Sequence, residues 1–260
     1  MIDKLSSALK GAAAPLAGAL SVLVLWEVVV RVLGVQPVFV PPPSLVLADI
    51  ASAPLWFAQQ TAFTAVITLA GFACAAVFGI LFAVLIVEWP LLDRLLFPLF
   101  IALNSVPKVA VAPLFIIWFG TGAEPKIAIS FLVAVFAIVV DTALGLRSVP
   151  ADTLDLARAL RGSRLKVLLR IKLYCALPHI FAGLKVTMSL ALVGAIVGEF
   201  VSAQQGLGYV IMTAQGMFDT PRVFAAILIL AVLGLGLIAV IDAVERRALP
   251  WRARAAAGGH

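Results

Sequence analysis

Residues 150–177 read PADTLDLARALRGSRLKVLLRIKLYCAL, and the fold turns on them. Leu154, Ala157 and Leu160 recur at helical spacing, so a short helix with one apolar stripe is expected, capped by Asp152 or Thr153. Gly162-Ser163 breaks it. A second stretch then sets Leu165, Leu168, Leu169 and Leu173 near one face, with Arg164, Arg170 and Lys172 largely off it. Pro178 is expected to open the next helix. A basic helix–break–helix of this kind rests on anionic headgroups or docks in a partner's groove. What lies on either side decides which surroundings it has.

On both sides lie apolar runs. The chain of 260 residues is 63% hydrophobic and only 12% charged, with a mean hydropathy of +1.16. A soluble domain carries about a quarter charged residues, so this excess must face lipid. Runs of roughly 20 apolar residues suffice to cross a bilayer. They are Pro15–Gly34, Ala62–Val87, Leu95–Phe119, Ile127–Leu146, Pro178–Val201 and Val223–Val244. The expected fold is an all-α membrane protein of six transmembrane helices, with a short cytoplasmic helix between the fourth and fifth. The run after Lys4 and Lys10 is too long for a signal h-region and is read as a retained first helix.

Basic residues orient the helices. Eight lie between 147 and 185: Arg147, Arg158, Arg161, Arg164, Lys166, Arg170, Lys172 and Lys185. Residues 36–59 hold none, whereas Lys4 and Lys10 precede the first helix and Arg246, Arg247, Arg252 and Arg254 follow the last. The positive-inside rule then puts both termini and the 150–175 loop in the cytoplasm. The reading is a tail 1–14, a transmembrane domain 15–249 and a tail 250–260. The net charge of +6 reflects this topology, and no nucleic-acid partner is inferred. The proline-rich segment Gln36–Gln60 reads as an external loop in which Ser44 caps a short helix from Leu45. Two cysteines and two histidines without motif spacing suggest neither disulfide nor metal site.

The residues also resemble a known family. Asp155-Leu156-Ala157, then Gly162, then Ile171-x-Leu173, resembles the cytoplasmic "EAA" loop of ABC importer permeases. Trp26-Glu27 with Val40-Pro41-Pro42-Pro43-Ser44 is similar to the opening of the nitrate/sulfonate/taurine-type branch. Val106-Pro107-Lys108-Val109-Ala110, Ala112-Pro113-Leu114 and Trp118-Phe119-Gly120 resemble its central signature. Gly198-Glu199-Phe200 and Gly206-Leu207-Gly208-Tyr209 resemble its distal one. The resemblance spans about residues 20–245. This chain departs from the pattern at Asp155, Leu156, Arg161, where the usual glycine falls, and Tyr174, where a proline is usual.

The resemblance implies the inner-membrane subunit of an importer, working with two separate ATPase subunits, a second permease copy and a periplasmic or lipoprotein solute-binding protein. ATP and magnesium belong to the ATPase, and no cofactor is implied for this chain. It has no G-x-x-x-x-G-K-[ST] loop and is read as a transport subunit, not an enzyme. Asp155, Leu156, Ala157, Leu160, Arg161, Gly162 and Ser163 are the implied ATPase-coupling residues. The implied solute is small and anionic, sulfonate-, taurine- or nitrate-like.

Polar groups at membrane depth mark cavities or partners. Asn104, Lys108 and Glu199 are the pathway candidates. Lys108 suits an anion, or equally the neutralisation of Asp141 or Glu199; Glu199 suits a gate or a satisfied interface charge. Glu27 and Arg31, one turn apart, read as a structural pair, and Asp141 as a structural charge close in sequence to Arg147. Prolines 98, 107 and 113 are expected to bend or break the third helix. Gly79, Gly194 and Gly198 suit close helix packing. The competing classes are a gradient-driven transporter or channel, which would need coupled acidic sites in the membrane, and a membrane enzyme, which would need a catalytic cluster that is not seen.

Overall fold

In hydrocarbon a backbone N–H finds no water, so a long apolar run satisfies itself best as a helix. A computed structural model describes residues 17, 18, 20–202 and 204–250, and among them every regular element is helical. The tails carrying Lys4, Lys10, Arg252 and Arg254 lie outside the described residues. In chain order the helices are α1 (20–32), α2 (Pro43–Ser52), α3 (Pro54–Glu88), α4 (Pro90–Asn104), a 3-10 turn (Lys108–Val111), α5 (Ala112–Phe119) and α6 (Glu124–Arg147). Then come α7 (Ala151–Ala159), α8 (Arg164–Val167), a π turn (Leu168–Lys172), α9 (Leu173–Ser202), α10 (Leu207–Gly216) and α11 (Thr220–Ala248).

Four stretches are long and apolar enough to cross a membrane: Pro54–Glu88, Glu124–Arg147, Arg164–Ser202 and Thr220–Ala248. A fifth is reached if α4 and the turn-plus-α5 segment count as one broken span. Six spans are thus not confirmed among the described residues, which include only part of the expected first span, Pro15–Gly34.

The third predicted helix, Leu95–Phe119, is not continuous: its halves meet at 85°. Pro107 interrupts it, bringing no N–H and an extended φ/ψ of −65°/98°. Pro98 stays inside α4 and Pro113 sits in the first turn of α5, where a missing N–H costs nothing.

Pro178 does not begin a helix either. It lies inside α9, which continues from α8 through the π turn as one 39-residue helix. The expected external loop Gln36–Gln60 holds α2 and the start of α3. Pro42, not a serine, precedes α2, so Ser44 is not its cap. Likewise Pro150 precedes α7, leaving Asp152 and Thr153 within its first turn, where Asp152 still complements the helix dipole.

The chain forms two compact units. The first comprises Met1–Gln59 with Val210–Ile229. Here Glu27 accepts Arg31 Nε at 2.5 Å, and its carboxylate also takes the N–H and hydroxyl of Ser44 at 2.9 and 2.8 Å. The pair expected within α1 thus also pins the start of α2. Arg222 bridges Asp49 at 3.0 Å and Asp219 at 3.3 Å, and Trp26 packs on Phe224.

The second unit comprises Gln60–Tyr209 with Leu230–His260. At its centre α6 packs along α9. Small residues permit this: a Cβ on Gly194 would come within 2.6 Å of Ser130 Cα, and one on Gly198 within 2.9 Å of Lys126 Cα. The Ser130 hydroxyl donates to Ala191 O across the same seam. Gly79 meets Ile138 in the α3–α6 contact. Phe100 lies tilted against Phe82 at 5.4 Å and stacks on Phe136 at 4.4 Å, fixing α4 against α3 and α6. Lys185 joins α9 to α11 through Asp242 and Glu245, at 2.5 and 2.6 Å.

Candidate functional site

The continuous Arg164–Ser202 helix is 39 residues long, or about 58 Å at 1.5 Å per residue. Its two ends carry the two most informative arrangements of polar groups in the second unit.

At its C-terminal end Glu199 is 1% exposed. A carboxylate so placed needs donors, and two elements supply them. The Thr64 hydroxyl on α3 donates to Oε1 at 2.8 Å, and the Gly208 N–H donates to Oε2 at 2.7 Å. The Leu207 N–H donates in turn to Thr64 Oγ1 at 2.8 Å, and the Gly206 N–H to Gln60 Oε1 at 2.6 Å. These three N–H groups lie at the start of α10, where a helix has no donors' partners of its own. Glu199, Thr64 and Gln60 therefore cap α10, the last two from more than a hundred residues away in sequence. Gly206 has φ +105°, and a Cβ there would strike the Glu199 carboxylate, so both its dihedral and its clearance call for glycine.

Lys126 is also buried. Its ammonium donates to the carbonyls of Thr121 and Gly122 at 2.9 and 2.6 Å, and it lies within electrostatic reach of Glu199. The sequence offers Lys108 for that role. Lys108 instead donates to the carbonyl and side-chain oxygen of Asn104, both at 2.6 Å, and lies 4.7 Å from the Phe136 ring centroid. Two pathway candidates, Asn104 and Lys108, are thus brought together at the α4 break; Glu199 belongs to a separate network. Arg147 pairs with Asp93 at 2.5 Å rather than with Asp141, and Asp141 packs against Gly183.

At the other end of the helix, α7 stops at Ala159. The Arg161 N–H donates to Arg158 O and the Gly162 N–H to Ala157 O at 2.9 Å. Arg161 takes φ +52°, the left-handed position that usually ends such a turn with glycine. Ser163 then accepts the Lys166 N–H and starts α8. The expected break at Gly162-Ser163 is observed. Ala157 is buried, whereas Leu156 and Leu160 are 61% and 75% exposed. Asp155 holds Arg158 at 2.6 Å in an exposed pair.

Residues 75–250 match the model of the binding-protein-dependent transport system inner membrane component. The chain belongs to this family. It is 35% identical to the formylaminopyrimidine transport permease protein of Halalkalibacterium halodurans, covering 90% of this chain and 93% of that one. It is 34% identical to the riboflavin transport system permease protein of Chloroflexus aurantiacus (89% and 87% covered). Identity to the taurine transport system permease protein of Escherichia coli is 33% (90% and 88% covered).

The chain is thus a member of the ABC transporter permeases, a family of transport components rather than enzymes, and the nitrate/sulfonate/taurine resemblance holds. Several features of the permease had no signal in the sequence. Gln60, Thr64 and Lys126 carry no such signal, because the groups they meet around Glu199 lie on other helices. Nor does the half-buried Lys172–Glu88 pair at 2.6 Å, which joins the π turn to the end of α3. A short helix after Gly206 had a local clue in the Gly-Leu-Gly spacing, which was read as a motif only.

Proposed function

We propose that this permease is the membrane subunit of an ATP-driven importer, and that α7 is where a separate ATPase engages it. The observation that carries this reading is the pair Leu156 and Leu160, exposed on a short helix and its C-terminal cap, a segment too short and polar to span a membrane. Exposed leucines ringed by Asp155, Arg158 and Arg161 make a helix face suited to a groove. Ala157 anchors the helix from below, and the Arg161–Gly162–Ser163 turn sets its angle. Movement of the docked helix would pass through the π turn into α9 and shift the packing of a permease dimer between inward- and outward-open states. Magnesium and ATP act on the ATPase. A solute-binding protein delivers the cargo at the opposite side, and both termini are cytoplasmic in the inner membrane.

For the solute, two readings have support. A small anion, sulfonate-, taurine- or nitrate-like, is supported by the taurine relative and by Lys108 at the helix break. In the present arrangement such an anion would displace Asn104 from the ammonium. A small nitrogen heterocycle is supported by the formylaminopyrimidine and riboflavin relatives. Uptake of both classes by Lys108→Gln separates them: selective loss of anion uptake is expected on the first reading, and unchanged anion uptake removes it. The subunit role itself is tested by purifying the tagged chain from its host in mild detergent. An ATP-binding-cassette ATPase and a second permease copy are expected to co-purify. A preparation free of ATPase even after crosslinking would point to a gradient-driven transporter.

A further inference from the structure

Where α3 ends and α7 turns into α8, the second unit encloses a pocket of about 380 Å³. Arg158, Arg164 and Lys172 line it, with Glu88 as the carboxylate among them. Lys172 is spent on Glu88, at 2.6 Å with both side chains 19% exposed. Arg158 holds Asp155 in a pair 75% and 67% exposed, which water screens and a better anion can replace. Arg164 has no ion-pair partner among the described residues. The pocket therefore carries surplus positive charge. Its remaining walls are largely apolar, including Val87, Leu154 and Val167.

We propose that this pocket binds the phosphate group of an anionic phospholipid. Guanidinium groups match phosphate oxygens with paired donors, and two of them face one space here. The pocket lies at the ends of two stretches long enough to span the bilayer, α3 and the Arg164–Ser202 helix, which is headgroup depth. The apolar wall has a use for a lipid, whose glycerol and first methylenes it would cover, and none for free phosphate. A bound headgroup would touch α3, α7 and α8 together and brace the segment that turns into α9. The inference needs only that the chain sits in a membrane; it shares Arg158 with the face proposed for the ATPase, whereas Arg164 lies outside that face and tests the lipid site by itself.

The test is native mass spectrometry of the full-length chain in neutral detergent, titrated with phosphatidylglycerol or phosphatidylethanolamine. Phosphatidylglycerol is expected to bind preferentially. Arg164→Gln is expected to weaken it about fivefold, the usual worth of one basic group near an anionic headgroup. The exposed Arg158→Gln should weaken it similarly. Arg170→Gln removes the same charge outside the pocket and should change binding less than about twofold. Each variant is first checked for monodisperse elution. Equal losses in Arg164→Gln and Arg170→Gln, or no preference between the lipids, overturn the site. Full displacement of the lipid by equimolar inorganic phosphate overturns the lipid assignment in favour of a free anion.

Discussion

The two ends of the Arg164–Ser202 helix solve opposite problems. At the Glu199 end, polar groups are buried and every named donor is matched: Thr64, Leu207, Gly206 and Gly208 leave the carboxylate and the start of α10 satisfied. At the α7–α8 end, the Arg158–Asp155 pair is exposed, and so are Leu156 and Leu160. In a low-dielectric interior a half-satisfied network is costly, so the first end tolerates little change. The exposed face of α7 gains little from its own chain and is free to meet another. The contrast separates the part of the permease that holds its shape from the part proposed to receive a push.

That contrast can be broken at either end, and the effects should fall in order. Thr64→Val should be the most damaging. It strips a donor from Glu199 and an acceptor from the Leu207 N–H, both buried, at about 1–3 kcal/mol for each orphaned group. Thermal unfolding in detergent should show a clear drop, and an unchanged midpoint would mean that the network is dispensable.

Leu160→Asp and Asp155→Lys come next. Both positions are exposed, so membrane insertion and melting should hold while transport falls at least about tenfold, as for an interface hot spot. Normal transport in both variants would remove α7 from the coupling role. Arg161→Gly should have the smallest effect and the opposite sign. Relief of a left-handed non-glycine residue is worth about 1 kcal/mol of local stability. Slower hydrogen exchange across α7 would register it, and faster exchange would contradict the account of the turn.

What the sequence disclosed follows the same divide. Glu27 and Arg31 were legible as a pair because they are one helical turn apart, and the α7 break because Gly162-Ser163 is local punctuation. The long apolar runs declared themselves by composition. The partners of Glu199 did not, since Thr64 lies 135 residues away and no period links them. For the same reason Lys126 gives no sign in one dimension that it is the cation near Glu199, a role the sequence offers to Lys108. Three prolines in one apolar run looked equivalent, but only Pro107 broke it. Pro98 and Pro178 are carried within long helices by tertiary packing, which overrides a local breaker.

The most direct test of the central claim is photocrosslinking in native membranes from a benzophenone amino acid placed at Leu160, compared with the same probe at the exposed Phe119, at the end of α5. The account predicts a product with an ATP-binding-cassette ATPase from position 160 and none from position 119. Lipid adducts alone at position 160, or the ATPase captured equally from both, would contradict it.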